Sequence, residues 1–394
     1  MSRTLHFGDG LEAGMSAARV AQLRQLAAEW VEEGRAASLN LLVARRGVVV
    51  LHEAYGRLGP EPDAPTLPRD AVYALSSVTK PMTATCVMCL VEDGLLGLNR
   101  PVQEYVPEFT GTGKDGVLVH HLLTHTSGIT PDAVARHGAR KLDRGELVLD
   151  EAEWPGISAV PLWAVGYPSL YDVPLETPPG TDMSYCNFNY ILLADIVGRV
   201  AGKPPARFAE ERIFEPLGMR DACLNGLDAA RRPRYVLRAA DDPSALFNNT
   251  KLLNLLTGAG GGTATAWDLA VFCQMFLNRG VYGGARLLSS ASVMAMTRDQ
   301  IPGIGAVYGA ERFNQAGWGF GWGIQLDKKP VNYPSLVSRR MFEHGGGSGA
   351  AILVDPEHEL VLVYLSSEPR GNPGGIHQWC LDSATDAAVG AIVD

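Results

Sequence analysis

The stretch Val72-Tyr73-Ala74-Leu75-Ser76-Ser77-Val78-Thr79-Lys80-Pro81-Met82 contains a Ser-x-x-Lys pair, Ser77 and Lys80, at the start of an apolar helix. A strand-like segment, residues 71–75, leads into it. Positions i and i+3 are neighbours on a helix, so the Lys80 amine can reach the Ser77 hydroxyl. A serine hydroxyl becomes a good nucleophile when a base takes its proton. Desolvation and the positive end of a helix both lower the pKa of a lysine, which lets it act as that base.

On these residues alone, a second interpretation stays open. Ser77 could simply cap the helix while Lys80 points into water, because Ser-x-x-Lys is a short pattern that occurs by chance. Other groups in the chain must decide between the two interpretations.

Tyr185-Cys186-Asn187 is the second candidate, directly before a predicted helix over residues 187–201. A phenol and a carboxamide two residues apart at a helix start can both face a cleft. Tyr185 could move a proton and Asn187 could donate a hydrogen bond. The alternative is a buried tyrosine followed by an asparagine that caps the helix.

The third candidate is the glycine-rich run His344-Gly345-Gly346-Gly347-Ser348-Gly349, which lies between strand-like segments. Several glycines in a strand indicate that a ligand or another backbone segment comes close. We expect this strand to offer a backbone N–H to an oxyanion, with His344 as a hydrogen-bonding group at its head. Alternatively, His344 is a strand histidine packed at the rim.

Gly346-Gly347-Ser348-Gly349-Ala350 also resembles the Gly-x-Ser-x-Gly nucleophile elbow. That elbow requires a helix after the serine, whereas a β-hairpin is predicted here, with strands over 350–354 and 360–365. Ser348 is therefore not expected to be the nucleophile.

Strands and helices at both chain ends surround a mostly helical middle. An amphipathic helix over 16–35 precedes a predicted hairpin of residues 38–44 and 48–54, and a helix over 376–393 closes the chain. Further predictions are a long Pro/Gly-rich loop over 130–179, a helix over 265–279 and an alternating strand over 319–326. We expect an α/β (α+β) fold: a central antiparallel sheet from both ends flanked by the terminal helices, plus a helix-rich insert. The predicted lobes are residues 1–76 with 260–394, and residues 77–259, with the active site in the cleft between them.

The composition excludes several classes of protein. The chain has 394 residues, of which 46% are hydrophobic and 20% charged, and its formal net charge is −9. This balance argues against a disordered chain, a nucleic-acid partner and an anionic membrane surface. Six cysteines are too few for a disulfide scaffold, and the pair Cys86-x-x-Cys89 has no second Cys/His pair to complete a zinc site. No apolar run follows a positive N-terminus, so we expect a cytoplasmic enzyme without metal or cofactor, of unknown oligomeric state.

Taken in order, the three candidates resemble the serine β-lactamase and penicillin-binding-protein superfamily, in its class C-like branch. The segments 92–102, 121–129, 258–269 and 319–323 are also similar to that branch. The resemblance implies a β-lactamase-like fold, with Ser77 as the acylated nucleophile, Lys80 as its base and Tyr185 as the proton relay. It places Asn187 on the acyl side of the substrate and His344-Gly345-Gly346 at the Lys-Thr-Gly strand. The implied oxyanion donors are the N–H groups of Ser77 and Gly347.

The sequence departs from the superfamily pattern at His344. A lysine there would supply a fixed charge for anionic substrates, whereas a histidine with an ordinary pKa is mostly neutral at pH 7. The chain is therefore most similar to the family VIII carboxylesterases. We expect a serine carboxylesterase acting on small or short-acyl esters through an acyl-enzyme. The alternatives are a β-lactamase, a D-amino-acid peptidase or a transesterase of the same superfamily, and, more remotely, a non-catalytic binding or assembly protein.

Overall fold

The fold is described from a computed structural model, for residues 3–165, 167–308, 311–326, 334–368 and 375–394. Its strands are β1 (His6–Phe7), β2 (Ser38–Arg45), β3 (Val48–Gly56), β4 (Tyr73–Ala74), β5 (Met183–Ser184), β6 (Thr263–Ala264), β7 (Val281–Tyr282), β8 (Ala285–Arg286), β9 (Ala306–Tyr308), β10 (Glu311–Phe313), β11 (Gly323–Ile324), β12 (Phe342–Gly345), β13 (Ala350–Asp355) and β14 (Leu360–Ser366). Its α-helices are α1 (Ala17–Glu32), α2 (Thr79–Glu92), α3 (Val119–Leu123), α4 (Pro131–Asp143), α5 (Leu162–Val165), α6 (Asn187–Ala201), α7 (Pro205–Ala209), α8 (Glu215–Leu217), α9 (Ala266–Leu277), α10 (Ser290–Met296) and α11 (Ile376–Gly390).

The main sheet is built from both ends of the chain. Its seven strands run in the order β1-β3-β2-β14-β13-β12-β11, and every neighbouring pair except β1 and β3 is antiparallel. The N-terminal hairpin joins the C-terminal one through β2 and β14, where Leu42 lies opposite Val363. The predicted central sheet, with helices α1 and α11 from the chain ends, is confirmed.

Both faces of this sheet are buried, which explains its nearly continuous apolar strands. Side chains alternate between the faces along a strand. In β14, Leu362 and Tyr364 contact the cluster that includes α1 and α11, whereas Val361 and Val363 contact the larger core. Helix α9 packs on that second face, against β2, β13 and β14.

Helix α2 is buried all round, from Thr79 to Leu90. Its residues are apolar or small on every side, which is typical of a central core helix. It packs against α6, so the sequence that follows Ser77 and the sequence that follows Tyr185 meet in one core.

Three predicted segments differ from the structure. Residues 130–179 contain helix α4, because Thr130 caps it by accepting the Ala133 N–H and Pro131 suits the first helical turn. The alternating segment 319–326 forms only the short β11, since Gly321 adopts a left-handed φ of +85° and interrupts the extended backbone. The segment 71–75 pairs as a strand only over β4.

Among the described residues, no helix is long and apolar enough to cross a membrane. The division into two lobes, at 76/77 and 259/260, stays a prediction.

Candidate active site

Ser77 lies where strand β4 turns into helix α2. A 3₁₀ turn over Ser76–Val78 connects the two, and Ser76 adopts a φ of +47°. A left-handed conformation is strained for a non-glycine residue and is frequent at functional sites. The Ser77 side chain is partly exposed, and its backbone N–H lies in a first helical turn, where N–H groups lack acceptors within the helix.

Lys80 lies one helical turn further on and is completely buried. Its Nζ is 2.8 Å from the Ser77 Oγ, 2.7 Å from the Asn187 Oδ1 and 2.9 Å from the carbonyl oxygen of Ala259. This arrangement excludes the interpretation in which Lys80 points into water. The three oxygen atoms match an ammonium that donates three hydrogen bonds. They equally match a neutral amine that donates to Asn187 and Ala259 and accepts the Ser77 hydroxyl.

Burial lowers the pKa of Lys80 well below its ordinary value of 10.5. Within the described residues, no carboxylate forms an ion pair with Lys80 that would stabilise its charged form. The ring of Tyr185 lies 4.9 Å from Nζ and compensates only part of the lost hydration. The neutral amine that a general base requires is therefore populated at a lower pH than for a lysine in water.

Tyr185 and Asn187 flank the start of helix α6, as the sequence predicts. Tyr185 follows β5, which runs parallel to β9, and its ring lies in the small apolar cluster that contains Met183, Ile301 and Trp318. Asn187 is the first residue of α6 and uses its side-chain oxygen to hold Lys80. The structure thus brings both residues to Lys80.

His125 holds the backbone around Tyr185 from two directions. Its carbonyl oxygen accepts the N–H of Ser184 at 2.9 Å, and its Nδ1 accepts the N–H of Cys186 at 3.2 Å. Its ring centroid is 4.4 Å from that of Tyr185. Burial keeps the pKa of His125 well below 6.5, so the imidazole is neutral. Because Nδ1 accepts the Cys186 N–H, its proton lies on Nε2.

Neither His125 nor the Ala259 carbonyl was among the residues predicted to form the site. His125 lies within the segment 121–129, whose resemblance to the class C-like branch was the available signal. The Ala259 contact is made by a backbone atom 179 residues from Lys80. A backbone contact of this kind leaves no residue-type signal in the sequence.

His344 lies on strand β12, next to the edge strand β11, and is almost completely buried, at 3% exposure. Its ring packs edge-on against Trp318 at 5.7 Å, and its centroid is 6.3 Å from that of Tyr185. Its Nδ1 lies 3.0 Å from the Gly345 carbonyl oxygen. His344 therefore belongs to an aromatic wall beside Tyr185 rather than to a solvent-exposed rim.

The glycines after His344 pass very close to the backbone ahead of Ser77. A Cβ atom on Gly346 would lie 2.3 Å from the Leu75 carbonyl oxygen, which explains the glycine there. Gly347 is exposed, and its N–H donates to no group within the described residues. The structure thus brings Gly345, Gly346 and Gly347 beside the Ser76–Ser77 turn.

Within the described residues, no group of three or more His, Cys, Asp or Glu side chains could hold a metal ion. The described residues place a serine hydroxyl against a buried amine, with a phenol ring and the backbone of Gly347 close by. All of the predicted site residues lie together. Their roles in a reaction stay predictions.

Comparison with known protein families shows to which family the chain belongs. A family-wide profile described as Beta-lactamase matches residues 23–385. The chain belongs to the Beta-lactamase family. It is a serine hydrolase with the β-lactamase fold, as the resemblance implied.

Relatives of this family member cover several activities. A candidate D-alanyl-D-alanine carboxypeptidase from Escherichia coli K12 is 24% identical, over 91% of this chain and 84% of its own. The crystal structure of a penicillin-binding-protein homologue from Caulobacter crescentus is similar with a TM-score of 0.73 and 22% identity, over 95% and 98% of the two chains. A family VIII carboxylesterase structure matches with a TM-score of 0.71 and 21% identity, over 95% and 98%. These structural matches show the fold and leave the substrate open.

Proposed function

We propose that this protein is a Ser-x-x-Lys serine carboxylesterase that hydrolyses small or short-acyl esters through an acyl-enzyme. The observation that carries the proposal is the contact of 2.8 Å between the Ser77 Oγ and the fully buried amine of Lys80. A buried amine with a lowered pKa accepts a proton from a hydroxyl more readily than a hydrated ammonium, which has no free lone pair.

In the acylation step, neutral Lys80 takes the hydroxyl proton while the Ser77 Oγ attacks the ester carbonyl carbon. The carbonyl oxygen becomes an oxyanion, which the N–H groups of Ser77 and Gly347 stabilise. Collapse of the tetrahedral intermediate breaks the bond to the alcohol oxygen. The proton held by Lys80 reaches that oxygen through Tyr185, whose ring lies beside the amine, and the alcohol leaves.

In the deacylation step, water attacks the acyl carbon of the Ser77 ester. Lys80 and Tyr185 accept the water proton and return a proton to the Ser77 Oγ as the bond to the acyl group breaks. The carboxylic acid leaves and the free serine is restored. Asn187 holds the amine in place throughout, through the contact of 2.7 Å to its side-chain oxygen.

The choice of a neutral substrate rests on His344. Its side chain is buried against Trp318 and Tyr185, where a lysine would supply a fixed positive charge. Without that charge, a carboxylate-bearing substrate gains no strong ion pair at this strand, whereas a neutral ester loses nothing. The family VIII carboxylesterase among the similar structures supports the same substrate class.

The nucleophile is tested by Ser77→Ala, assayed with p-nitrophenyl butyrate and by intact-protein mass spectrometry. We expect hydrolysis and the acyl adduct to disappear. Ser338→Ala is the control, because it removes a serine hydroxyl away from the site, one that donates to Asp355 at the end of strand β13. Unchanged turnover in Ser77→Ala would exclude the proposed mechanism.

A β-lactamase or D-amino-acid peptidase is the second candidate, favoured by the carboxypeptidase-like relative from E. coli. It uses the same nucleophile and base, so only substrates separate the two. We expect kcat/KM for short p-nitrophenyl esters to exceed that for nitrocefin and for D-Ala dipeptides on one preparation. Dominant β-lactam or peptide turnover would favour the second candidate. A cytoplasmic location and a small-molecule ester substrate, with no nucleic-acid or membrane partner, are parts of the same proposal.

A further inference from the structure

Ser348, the serine of the elbow-like sequence, has a role in the structure other than nucleophile. It is completely buried in the turn between β12 and β13, one residue after Gly347. Its hydroxyl donates to the carbonyl oxygen of Ala74 at 2.7 Å, and Ala74 is three residues before Ser77. Ser348 therefore ties the glycine-rich turn to the strand that delivers the nucleophile.

Arg238 holds the same turn from the other side. Its Nη2 donates to the carbonyl oxygen of Ser348, and its Nε donates to the Ser244 Oγ at 2.7 Å. The side chain is only 4% exposed and stacks over the Phe247 ring, 5.7 Å from its centroid. The described residues include no carboxylate that forms an ion pair with Arg238, so this buried cation is directed at a backbone carbonyl rather than at a counter-ion.

A buried guanidinium without an ion pair is costly and calls for an explanation. Asp242 compensates the charge of Arg238 indirectly, through Ser244. The Ser244 hydroxyl accepts from Arg238 and donates to the Asp242 Oδ1 at 2.6 Å. Shortly before Arg238, Tyr235 forms a parallel backbone bridge with Val72, five residues ahead of Ser77. Arg238 thus links its own segment to the glycine-rich turn that lies beside Ser76 and Ser77.

We propose that Ser348 and Arg238 form a clamp, defined by these two residues, that sets the distance between the backbone N–H groups of Ser77 and Gly347. Ser348 contacts both partners of the clamp. Its hydroxyl donates to the strand before Ser77, and its carbonyl oxygen accepts from Arg238. Both are positioning residues. The inference rests on the proposed function, because it takes those two N–H groups as the oxyanion donors.

The clamp makes a specific kinetic prediction. An oxyanion donor acts on the transition state and contributes little to ground-state binding. Ser348→Ala and Arg238→Met should each lower kcat about 10- to 100-fold with KM nearly unchanged, because removal of one donor outright costs about 10²- to 10³-fold. Arg238→Lys keeps one donor and should recover part of the loss.

The decisive readout is the affinity of a phenylboronic acid, whose tetrahedral adduct on Ser77 places an oxygen where the oxyanion forms. We expect its inhibition constant to rise in Ser348→Ala by the same factor as kcat falls. The double variant Ser348→Ala/Arg238→Met should have a kcat no lower than that of the less active single variant, because both residues act through one turn. Ser338→Ala is the control that loses a comparable buried hydrogen bond and keeps the wild-type kcat and boronate affinity.

Each outcome separates the clamp from the proposed function. If Ser77→Ala removes activity but Ser348→Ala keeps the wild-type kcat and boronate affinity, the clamp is wrong and the esterase proposal stands. If kcat and thermal stability fall but boronate affinity does not, Ser348 is merely structural and the clamp is again wrong. If Ser77→Ala keeps full activity, the proposed function itself fails.

Discussion

Lys80 and Lys114 are two lysines that the fold buries completely, and only the Lys80 amine contacts a serine hydroxyl. Both donate to a backbone carbonyl oxygen, Ala259 for Lys80 and Tyr171 for Lys114. Both also lie over an aromatic ring, 4.9 Å from that of Tyr185 and 4.3 Å from that of Phe109.

The difference lies in what else each amine meets. Burial lowers the pKa of both, to about 8 for Lys114 and well below 10.5 for Lys80. The Lys80 amine contacts the partly exposed hydroxyl of Ser77, whereas Lys114 contacts no hydroxyl among the described residues. Desolvation alone therefore leaves an amine neutral at a lower pH, but a neutral amine becomes a catalytic base only beside a group whose proton it can accept.

The largest expected effect separates the two lysines by activity. Lys80→Met should lower kcat/KM for a p-nitrophenyl ester by about 10²- to 10⁴-fold, the usual contribution of a general base. Lys114→Met should stay within about threefold of wild type, since substitutions away from the reacting groups leave the transition state unaffected. Steady-state kinetics on both variants makes the comparison. Equal losses would mean that Lys80 supports the fold rather than the reaction.

The pH dependence of kcat/KM sharpens the same contrast. Protonated Lys80 cannot accept the Ser77 proton, so activity should fall about tenfold per pH unit below the lowered pKa of Lys80 and rise above it. Lys114→Met should retain this acidic limb. A flat profile from about pH 6 to 9 would contradict the role of Lys80.

Lys114 should instead be visible in stability. Its pKa of about 8 in the folded protein lies below 10.5, its value in the unfolded chain, so the unfolded state binds more protons between these pH values. The wild-type free energy of unfolding should therefore gain on the order of 3 kcal/mol relative to Lys114→Met as pH rises from 8 to 10.5. Urea unfolding of both proteins across this range measures the difference. Parallel curves would show that Lys114 is not desolvated.

A lysine introduced in place of His344 tests whether the lack of a fixed positive charge on strand β12 sets the substrate preference. His344→Lys should raise kcat/KM for nitrocefin relative to p-nitrophenyl acetate by about tenfold, the ratio that 1.4 kcal/mol produces. His344→Gln is the control, because it replaces the ring without adding charge. The same ratio in both variants would mean that packing, not charge, sets the preference at this strand.

Local patterns in the sequence predicted part of the site well. Ser77 and Lys80 are three residues apart on one helix, and the apolar run behind them indicated burial. The sheet strands were also readable, because residues such as Leu362 and Val363 form uninterrupted apolar runs. Tyr185, Asn187 and His344 became specific only through their order along the chain and the family resemblance.

Contacts between distant residues were not readable. Arg238 and Ser348 are 110 residues apart, and neither gives a local signal for the other. Lys114 lies in a segment rich in glycine and charge that resembles a surface loop, yet the fold closes over it. Burial of a single polar side chain depends on tertiary packing, which periodicity does not encode.

The most direct test of the account is the rate at which a fluorophosphonate labels Ser77, followed by peptide mass spectrometry at pH 8. The wild type and Lys114→Met should label rapidly and only on the peptide that contains Ser77. Lys80→Met should label at least about 10²-fold more slowly, because the hydroxyl has lost its base. Labelling of Lys80→Met at the wild-type rate, or of a different serine, would contradict the assignment of Lys80 as the base for Ser77.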